Sequence, residues 1–215
     1  MQQVDSLQQI REALMTEGLV EAVAPANPMD LFNSWIAYAE ELKFHNANAM
    51  TVATVNSDMA PSVRNVLLRG RVGEGLVFYT NYESDKAVDL AQNNKAAVLM
   101  GWLEIERQIR LTGEVKKIDD RSSDQYFSSR ARGSQISAVV SKQSRSVASR
   151  NELEAAWVAL DLELADFSPA RPSHWGGYVF TPTSIEFWQG RPNRLHDRLR
   201  YRREDGVWAM NRLAP

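Results

Sequence analysis

The chain has 215 residues, a formal net charge of −2 at pH 7, a pI near 6.0 and no cysteine. That length suffices for one domain with a sizeable core, and that charge gives no general attraction to nucleic acid or anionic membrane. Without cysteine there are no disulfides, thiolate nucleophiles, iron–sulfur ligands or cysteine zinc sites, and three histidines leave little material for any metal centre. No apolar run is long enough to span a bilayer, and the first residues lack a basic segment followed by an apolar one, so a cytoplasmic protein is expected.

In chain order, a weak helical pattern runs to about Leu19. Ala24-Pro25-Ala26-Asn27-Pro28 then links to a helix over 28–43, with Asn before Pro as the start signal. Strands are predicted over 50–55, 62–69 and 76–81, joined by turn-rich segments at 56–58 and 70–75. A helix over 84–92 precedes strands over 96–102 and 107–118, and further helices follow over 119–129 and 149–164. Strands over 178–180, 184–189, 195–203 and 207–211 close the chain, with Glu204-Asp205-Gly206 as a hairpin turn. Many short strands without regular strand–helix alternation predict an α+β fold, an antiparallel barrel with peripheral helices.

Neither a Gly-x-Gly-x-x-Gly nor a Gly-x-x-x-x-Gly-Lys loop is present, so a bound phosphate must be held by side chains. Arg64 and Arg69 interrupt an apolar strand at a spacing that puts them on opposite faces. Lys86 falls in the first turn of a helix, where a cation opposes the helix dipole. Either an anion reconciles the two or the lysine is simply solvated. Tyr126 and Arg130 are four apart on one helix face, with Ser134 in the following loop. If 194–199 is a strand, Arg194, His196 and Arg198 share a face, and an anionic or electron-rich ligand between them would relieve their repulsion. The arginines at 191, 194, 198, 200, 202 and 203 also form a local basic patch, but alternation divides it between two faces. Trp35, Trp102, Trp157, Trp175 and Trp208 are expected in packing, His45 and His174 in structural or exposed positions, and Arg107 and Arg132 carry no assigned role.

The stretch Ile185-Glu186-Phe187-Trp188-Gln189, four further positions, then Arg194-Leu195-His196-Asp197-Arg198 resembles the signature of the pyridoxine/pyridoxamine 5′-phosphate oxidase family. The resemblance extends through Arg64-Asn65-Val66-Leu67-Leu68-Arg69, Val77-Phe78-Tyr79-Thr80-Asn81, Glu106-Arg107-Gln108, Tyr126 to Arg130, Val140 to Ser144 and the terminal Arg212-Leu213-Ala214-Pro215. It implies an FMN-binding split barrel, a homodimer with flavin at the subunit interface, and a single domain over 25–215 that includes a C-terminal dimerisation and active-site region. Residues 1–24 would form a partly flexible arm.

By the same resemblance, Arg64, Asn65, Val66, Leu67, Leu68, Arg69, Tyr79, Thr80, Lys86, Gln108, Gln143, Ser144, Trp188 and Arg198 would hold FMN. Arg69, Tyr126, Arg130, Ser134, Arg194 and His196 would hold the substrate, with Arg194 and His196 closing over its ring as the catalytic pair. The implied reaction is oxidation of pyridoxine or pyridoxamine 5′-phosphate to pyridoxal 5′-phosphate, with dioxygen as acceptor and hydrogen peroxide as product. A split-barrel sensor or scavenger without this turnover is the alternative. The chain departs from the family pattern at Arg69, usually lysine, at Asp85, commonly arginine, and over Arg11-Glu12-Ala13-Leu14, where an Arg-Arg-x-Tyr-like stretch is frequent.

Overall fold

The computed structural model describes residues 2–215; Met1, counted above in the arm, lies outside the described residues. Six α-helices and nine strands follow one another: α1 (Gln2–Glu17), α2 (Pro28–Glu41), β1 (Ala49–Val55), β2 (Pro61–Leu67), β3 (Gly70–Val72), β4 (Gly75–Asn81), α3 (Asp85–Gln92), β5 (Lys95–Trp102), β6 (Arg107–Lys117), α4 (Asp120–Ser129), α5 (Arg132–Val140), α6 (Arg150–Leu164), β7 (Trp175–Gln189), β8 (Asp197–Glu204) and β9 (Val207–Arg212). Local chemistry sets several starts. Asn27 Oδ1 accepts from Met29 N with Pro28 in the first helical turn, Asp119 caps α4 through Ser122 N, and Ser149 caps α6 through Glu152 N.

All nine strands form one antiparallel sheet in the order β2-β1-β5-β6-β7-β4-β3, with β8 and β9 continuing from β7. Strand β7 organises it. One edge pairs with β6 through residues 178–189, while the other pairs with β4 through residues 175–180 and with β8 through 184–189. That change of partner splits the barrel. Arg69 N donates to Val77 O at 2.8 Å, drawing the far end of the sheet back against β4.

Here the structure corrects the sequence reading. The predicted strands 178–180 and 184–189 are one strand, because Pro182 falls at the register shift between Thr112 and Gly113, where its missing N–H breaks no ladder bond. Gly113 permits this bulge: a Cβ there would stand 2.1 Å from Thr181 O. Strand β3 occupies part of the segment read as a turn, and α2 ends at Glu41 rather than 43. Helix α5 replaces a predicted loop, and β8 begins at Asp197 rather than 195.

The core lies between the sheet and α2. Phe187, fully buried, meets Trp35 and Tyr201 edge-on at 5.3 and 5.9 Å between ring centres, and Phe78, Phe180, Ile109, Leu111, Ile185 and Leu199 complete the layer. Leu14 and Leu19 add the N-terminal segment to the same core. Among the described residues no helix is long and apolar enough to cross a membrane. Truncating a ring at such a site typically costs about 3–5 kcal/mol. Phe187→Ala is therefore expected to lower the urea midpoint strongly without changing the denaturant slope; a loss under about 1 kcal/mol would show that this layer is not the structural centre.

Candidate active site

Three clusters of functional side chains emerge, near the two ends of β7. At the Trp175 end, Lys86 is buried in the first turn of α3, and its Nζ donates to Gln143 Oε1 at 2.8 Å, Thr80 Oγ1 at 3.0 Å and Ser84 Oγ at 3.2 Å. All three partners are neutral. Burial, with repulsion from Arg64 added and Asp85 opposing, pushes the ammonium down to about 8. Arg64 on β2 donates to Thr54 Oγ1 at 2.7 Å and Ser62 Oγ at 2.5 Å, and Thr54 in turn donates to Asp89 at 2.6 Å. Asn81 Nδ2 holds Ser141 O at 3.1 Å, and Asp85 N donates to Ser144 Oγ at 3.3 Å, fixing the loop that brings Gln143 and Ser144 to the lysine. Asn65, whose Oδ1 accepts from Thr51, lies on the same strand as Arg64, with Val66, Leu67 and Leu68 following it.

Beside this cluster is an aromatic stack. Tyr79 and Tyr126 lie parallel at 3.7 Å, Trp175 lies 5.6 Å from Tyr79, and Arg130 Cζ stands 4.6 Å from the Trp175 ring centre. Arg69, Tyr79 and Tyr126 line an open groove of about 540 Å3. Arg130 Nη1 is buried with no hydrogen-bond partner, and burial lowers the pKa of this guanidinium, with Tyr126 opposing and Arg69 adding repulsion. Two geometric premises change. Arg69 follows the end of β2, so strand alternation does not relate it to Arg64, and Arg130 has left the helix as the extended residue after α4. Ser134 is in α5, not a loop. Trp175, assigned to packing from the sequence, is indeed buried with Phe127 and Ala138, and its ring is also the common wall of the stack.

At the Trp188 end, β6 and β7 place Gln108 opposite Trp188, and Trp188 pairs with Arg198 on β8. The expected strand alternation of Arg194, His196 and Arg198 does not occur. Residues Pro192–Arg194 form a 3-10 turn in which Asn193 and Arg194 adopt φ of 59° and 61°, leaving Arg194 exposed. His196 instead leans on Trp188 at 4.6 Å, and its Nδ1 accepts from Arg191 N at 3.2 Å, which puts the proton of the neutral ring on Nε2. Arg198 already has partners: Nε donates to buried Glu186 at 2.8 Å and Nη1 to Ala214 O at 2.8 Å. Arg191 and Arg203 likewise pair with Asp197 and Glu74, which neutralises part of the basic patch. Arg107 stacks on Trp35 at 4.5 Å, and Arg132 binds Asp161 and the carbonyls of 165 and 167 beyond α6.

No carboxylate among the described residues forms an ion pair with Arg64, Arg69, Lys86, Arg130 or Arg194. Of these Lys86 is buried and Arg64 and Arg130 are half-buried, and cations are not ordinarily buried without a counter-charge. The donor set around Arg64, Lys86, Thr80, Gln143 and Ser144 fits a phosphate, and the set around Arg69, Tyr126 and Arg130 fits a second anion against a flat aromatic wall.

Comparison with known proteins places the chain in a family. A family described as pyridoxamine 5′-phosphate oxidase matches residues 37–161, and one described as the pyridoxine 5′-phosphate oxidase C-terminal dimerisation region matches 175–215. The chain belongs to the pyridoxine/pyridoxamine 5′-phosphate oxidase family. Relatives named pyridoxine/pyridoxamine 5′-phosphate oxidase from Pseudomonas paraeruginosa and Cupriavidus metallidurans are both 47% identical, covering 98% and 97% of this chain and 99% of each relative. Among solved structures, PhzG from Burkholderia lata, in complex with tetrahydrophenazine-1-carboxylic acid, aligns with a TM-score of 0.86 at 28% identity over 92% of this chain and 98% of its own. An FMN-binding protein related to pyridoxamine 5′-phosphate oxidase from Nostoc punctiforme aligns at 0.69 and 18%, over 86% and 97% of the two chains, sharing the split-barrel fold.

A charge-assisted contact contributes about 1.5–3 kcal/mol, so Lys86→Met is expected to weaken FMN binding roughly 10- to 100-fold while leaving the fold intact. Because the ligand-free ammonium loses its proton near pH 8, FMN affinity of the native chain should decline as pH rises above that value, and the methionine variant should lack this decline. Fluorescence titration of the apoprotein between pH 7 and 9.5 checks both. Parallel pH profiles would remove Lys86 from the phosphate site.

Proposed function

We propose that this oxidase converts pyridoxine 5′-phosphate and pyridoxamine 5′-phosphate to pyridoxal 5′-phosphate in the cytoplasm, with FMN as cofactor, at a site completed by a second copy of the chain. The observation that carries the reading is the pair of anion sites built from cations without counter-charges. Two phosphates, one on the cofactor and one on the substrate, account for both. In this reading Arg64, Lys86, Thr80, Gln143 and Ser144 bind the FMN phosphate end, with Asn65 through Leu68 and Tyr79 beside them. Arg69, Tyr126, Arg130 and Ser134 bind the substrate phosphate.

Support for a two-chain site comes from β7. Trp175 and Trp188 stand near opposite ends of this fifteen-residue strand, separated by a contour of up to about 40 Å at about 3.3 Å per residue. One chain cannot close Arg194 and His196 onto a substrate anchored beside Trp175. A two-fold partner brings the Trp188 end of one copy to the Trp175 end of the other, twice per dimer. Gln108, Trp188 and Arg198 then reach the flavin from the partner side. The match of residues 175–215 to a dimerisation region points the same way, and we assign residues 25–215 to one oxidase domain.

When bound, FMN supplies the two-electron acceptor between C4′ of the substrate and dioxygen. The alcohol plus dioxygen gives aldehyde plus hydrogen peroxide; the amine consumes one water in addition and releases ammonia. The chain's own work is placement. The anchored phosphate orients the distant C4′ atom, so binding far from the chemistry lowers the barrier. Arg194 presents a planar guanidinium to the face of the pyridine ring away from the cofactor, and His196, with its proton on Nε2, presents a donor from a ring held by Trp188 and Arg191 N. Arg198 bears on the flavin with its charge moderated by Glu186.

Two outcomes test this reading. Purified protein should show a flavin absorption spectrum, release FMN on denaturation, and turn over the phosphorylated vitamers far better than free pyridoxine; comparable efficiency on both would refute phosphate anchoring. Arg194→Lys keeps the charge and loses the flat surface. Its kcat/KM should fall about 10- to 1000-fold, equivalent to about 1.4–4 kcal/mol, with FMN content unchanged. Near-native efficiency, or a loss explained by FMN release, would remove Arg194 from the catalytic pair.

A further inference from the structure

The turn that carries Arg194 and His196 is tied to the N-terminal segment through one carboxylate. Asp197 Oδ2 accepts from Leu19 N at 3.0 Å and pairs with Arg191 Nε at 3.3 Å, while Oδ1 accepts from Arg212 Nη1 at 2.5 Å. Arg191 Nη1 donates to Met15 O at 2.7 Å and Thr16 O at 2.6 Å. Arg212 binds both carboxylate oxygens of Glu21 at 2.5 and 2.7 Å and Leu19 O at 2.6 Å. Residues 15–21, both ends of the turn and the end of β9 therefore meet at Asp197, whose side chain is 15% exposed.

Two further observations give this junction a purpose beyond packing. Gly18, at φ +68°, leaves no room for a side chain: a Cβ there would lie 2.4 Å from Asp197 Oδ2 and 2.6 Å from Arg191 Nη1. The turn it braces is strained, since Asn193 and Arg194 are non-glycine residues in the left-handed region, a conformation that costs on the order of 1 kcal/mol or more each and persists only when its surroundings impose it. Arg191 is also the residue whose N–H sets the His196 tautomer.

We propose that Asp197 is a positioning residue: by fastening Arg191, Arg212 and the backbone of Leu19 together, it holds the Arg194–His196 turn in its working conformation and makes the docking of residues 15–21 part of that conformation. The inference rests on the reading that Arg194 and His196 act on the substrate.

The test uses FMN-loaded full-length protein and the variants Asp197→Asn, which removes the charge at nearly constant shape, and Gly18→Ala, which crowds the junction from the other side. Three readouts are taken: amide hydrogen exchange over residues 15–21, the 15N signals of His196, and kcat/KM. With only three histidines in the chain, the His196 signals are assignable by substitution. Both variants should speed exchange at residues 15–21 at least tenfold, change the His196 pattern from a dominant Nε2–H tautomer toward a mixture, and lower kcat/KM at least tenfold with FMN content retained. Asp197→Glu should restore part of each. Faster exchange with His196 and kcat/KM unchanged would reduce the junction to a structural tie and overturn the proposal, as would native behaviour in all three readouts. Arg194→Lys keeps the two failures apart: if it is as active as the native enzyme, the assigned catalytic pair is wrong whatever the exchange data show.

Discussion

The structure depends on one constraint, the continuous pairing of β7. This strand bonds to β6 through residues 178–189 and changes partner on its other edge, so the half of the sheet that carries β4 and the half that carries β8 are tied together by one strand. A buried ladder of that length does not flex to bring its ends together. In the proposed function, chemistry at the Trp175 end and chemistry at the Trp188 end is joined through another copy. On that reading the split of the barrel, the dimerisation region and the division of the site have one origin.

A second theme is charge left without compensation. Lys86 is held by three neutral oxygens, and Arg130 keeps a buried nitrogen with no partner. Both arrangements oppose folding, because burial disfavours a cation that nothing neutralises. The same chain pairs Arg198 with Glu186 and Arg212 with Glu21 and Asp197, and Arg212 holds the Glu21 carboxyl down at about 2. Lys86 and Arg130 therefore stand apart from these neutralised arginines, as cations whose local surroundings leave room for an anion.

Much of this was legible in the sequence where local chemistry decides local structure. Asn27-Pro28 announced its helix, and the strand pattern announced an antiparallel barrel. The resemblance named the site residues, but their spatial roles were readable only in part. The alternation drawn through Arg194, His196 and Arg198 failed because two left-handed residues precede β8, and nothing in Asn193-Arg194 requires that conformation without the Asp197 junction. The strands expected over 178–180 and 184–189 are continuous because the bulge at Gly113 accommodates Pro182 in the ladder. Trp175 is core as expected, but its stacking with Tyr79, Tyr126 and Arg130 was not readable because those partners come from separate segments. The Asp197 junction was invisible for the same reason, since it joins residues from both ends of the chain.

Mixed dimers test the central claim most directly. Arg130→Ala removes a group from the Trp175 end, and Arg194→Ala removes one from the Trp188 end; each homodimer should be nearly inactive. When the two variants are unfolded together and refolded at equal concentration, about half of the dimers are mixed, and each mixed dimer regains one intact site if the site is shared between subunits. The account predicts recovery to about a quarter of native activity. Activity no greater than that of the separate variants, in dimers verified to have exchanged subunits, would mean that each chain builds its own site and would contradict it.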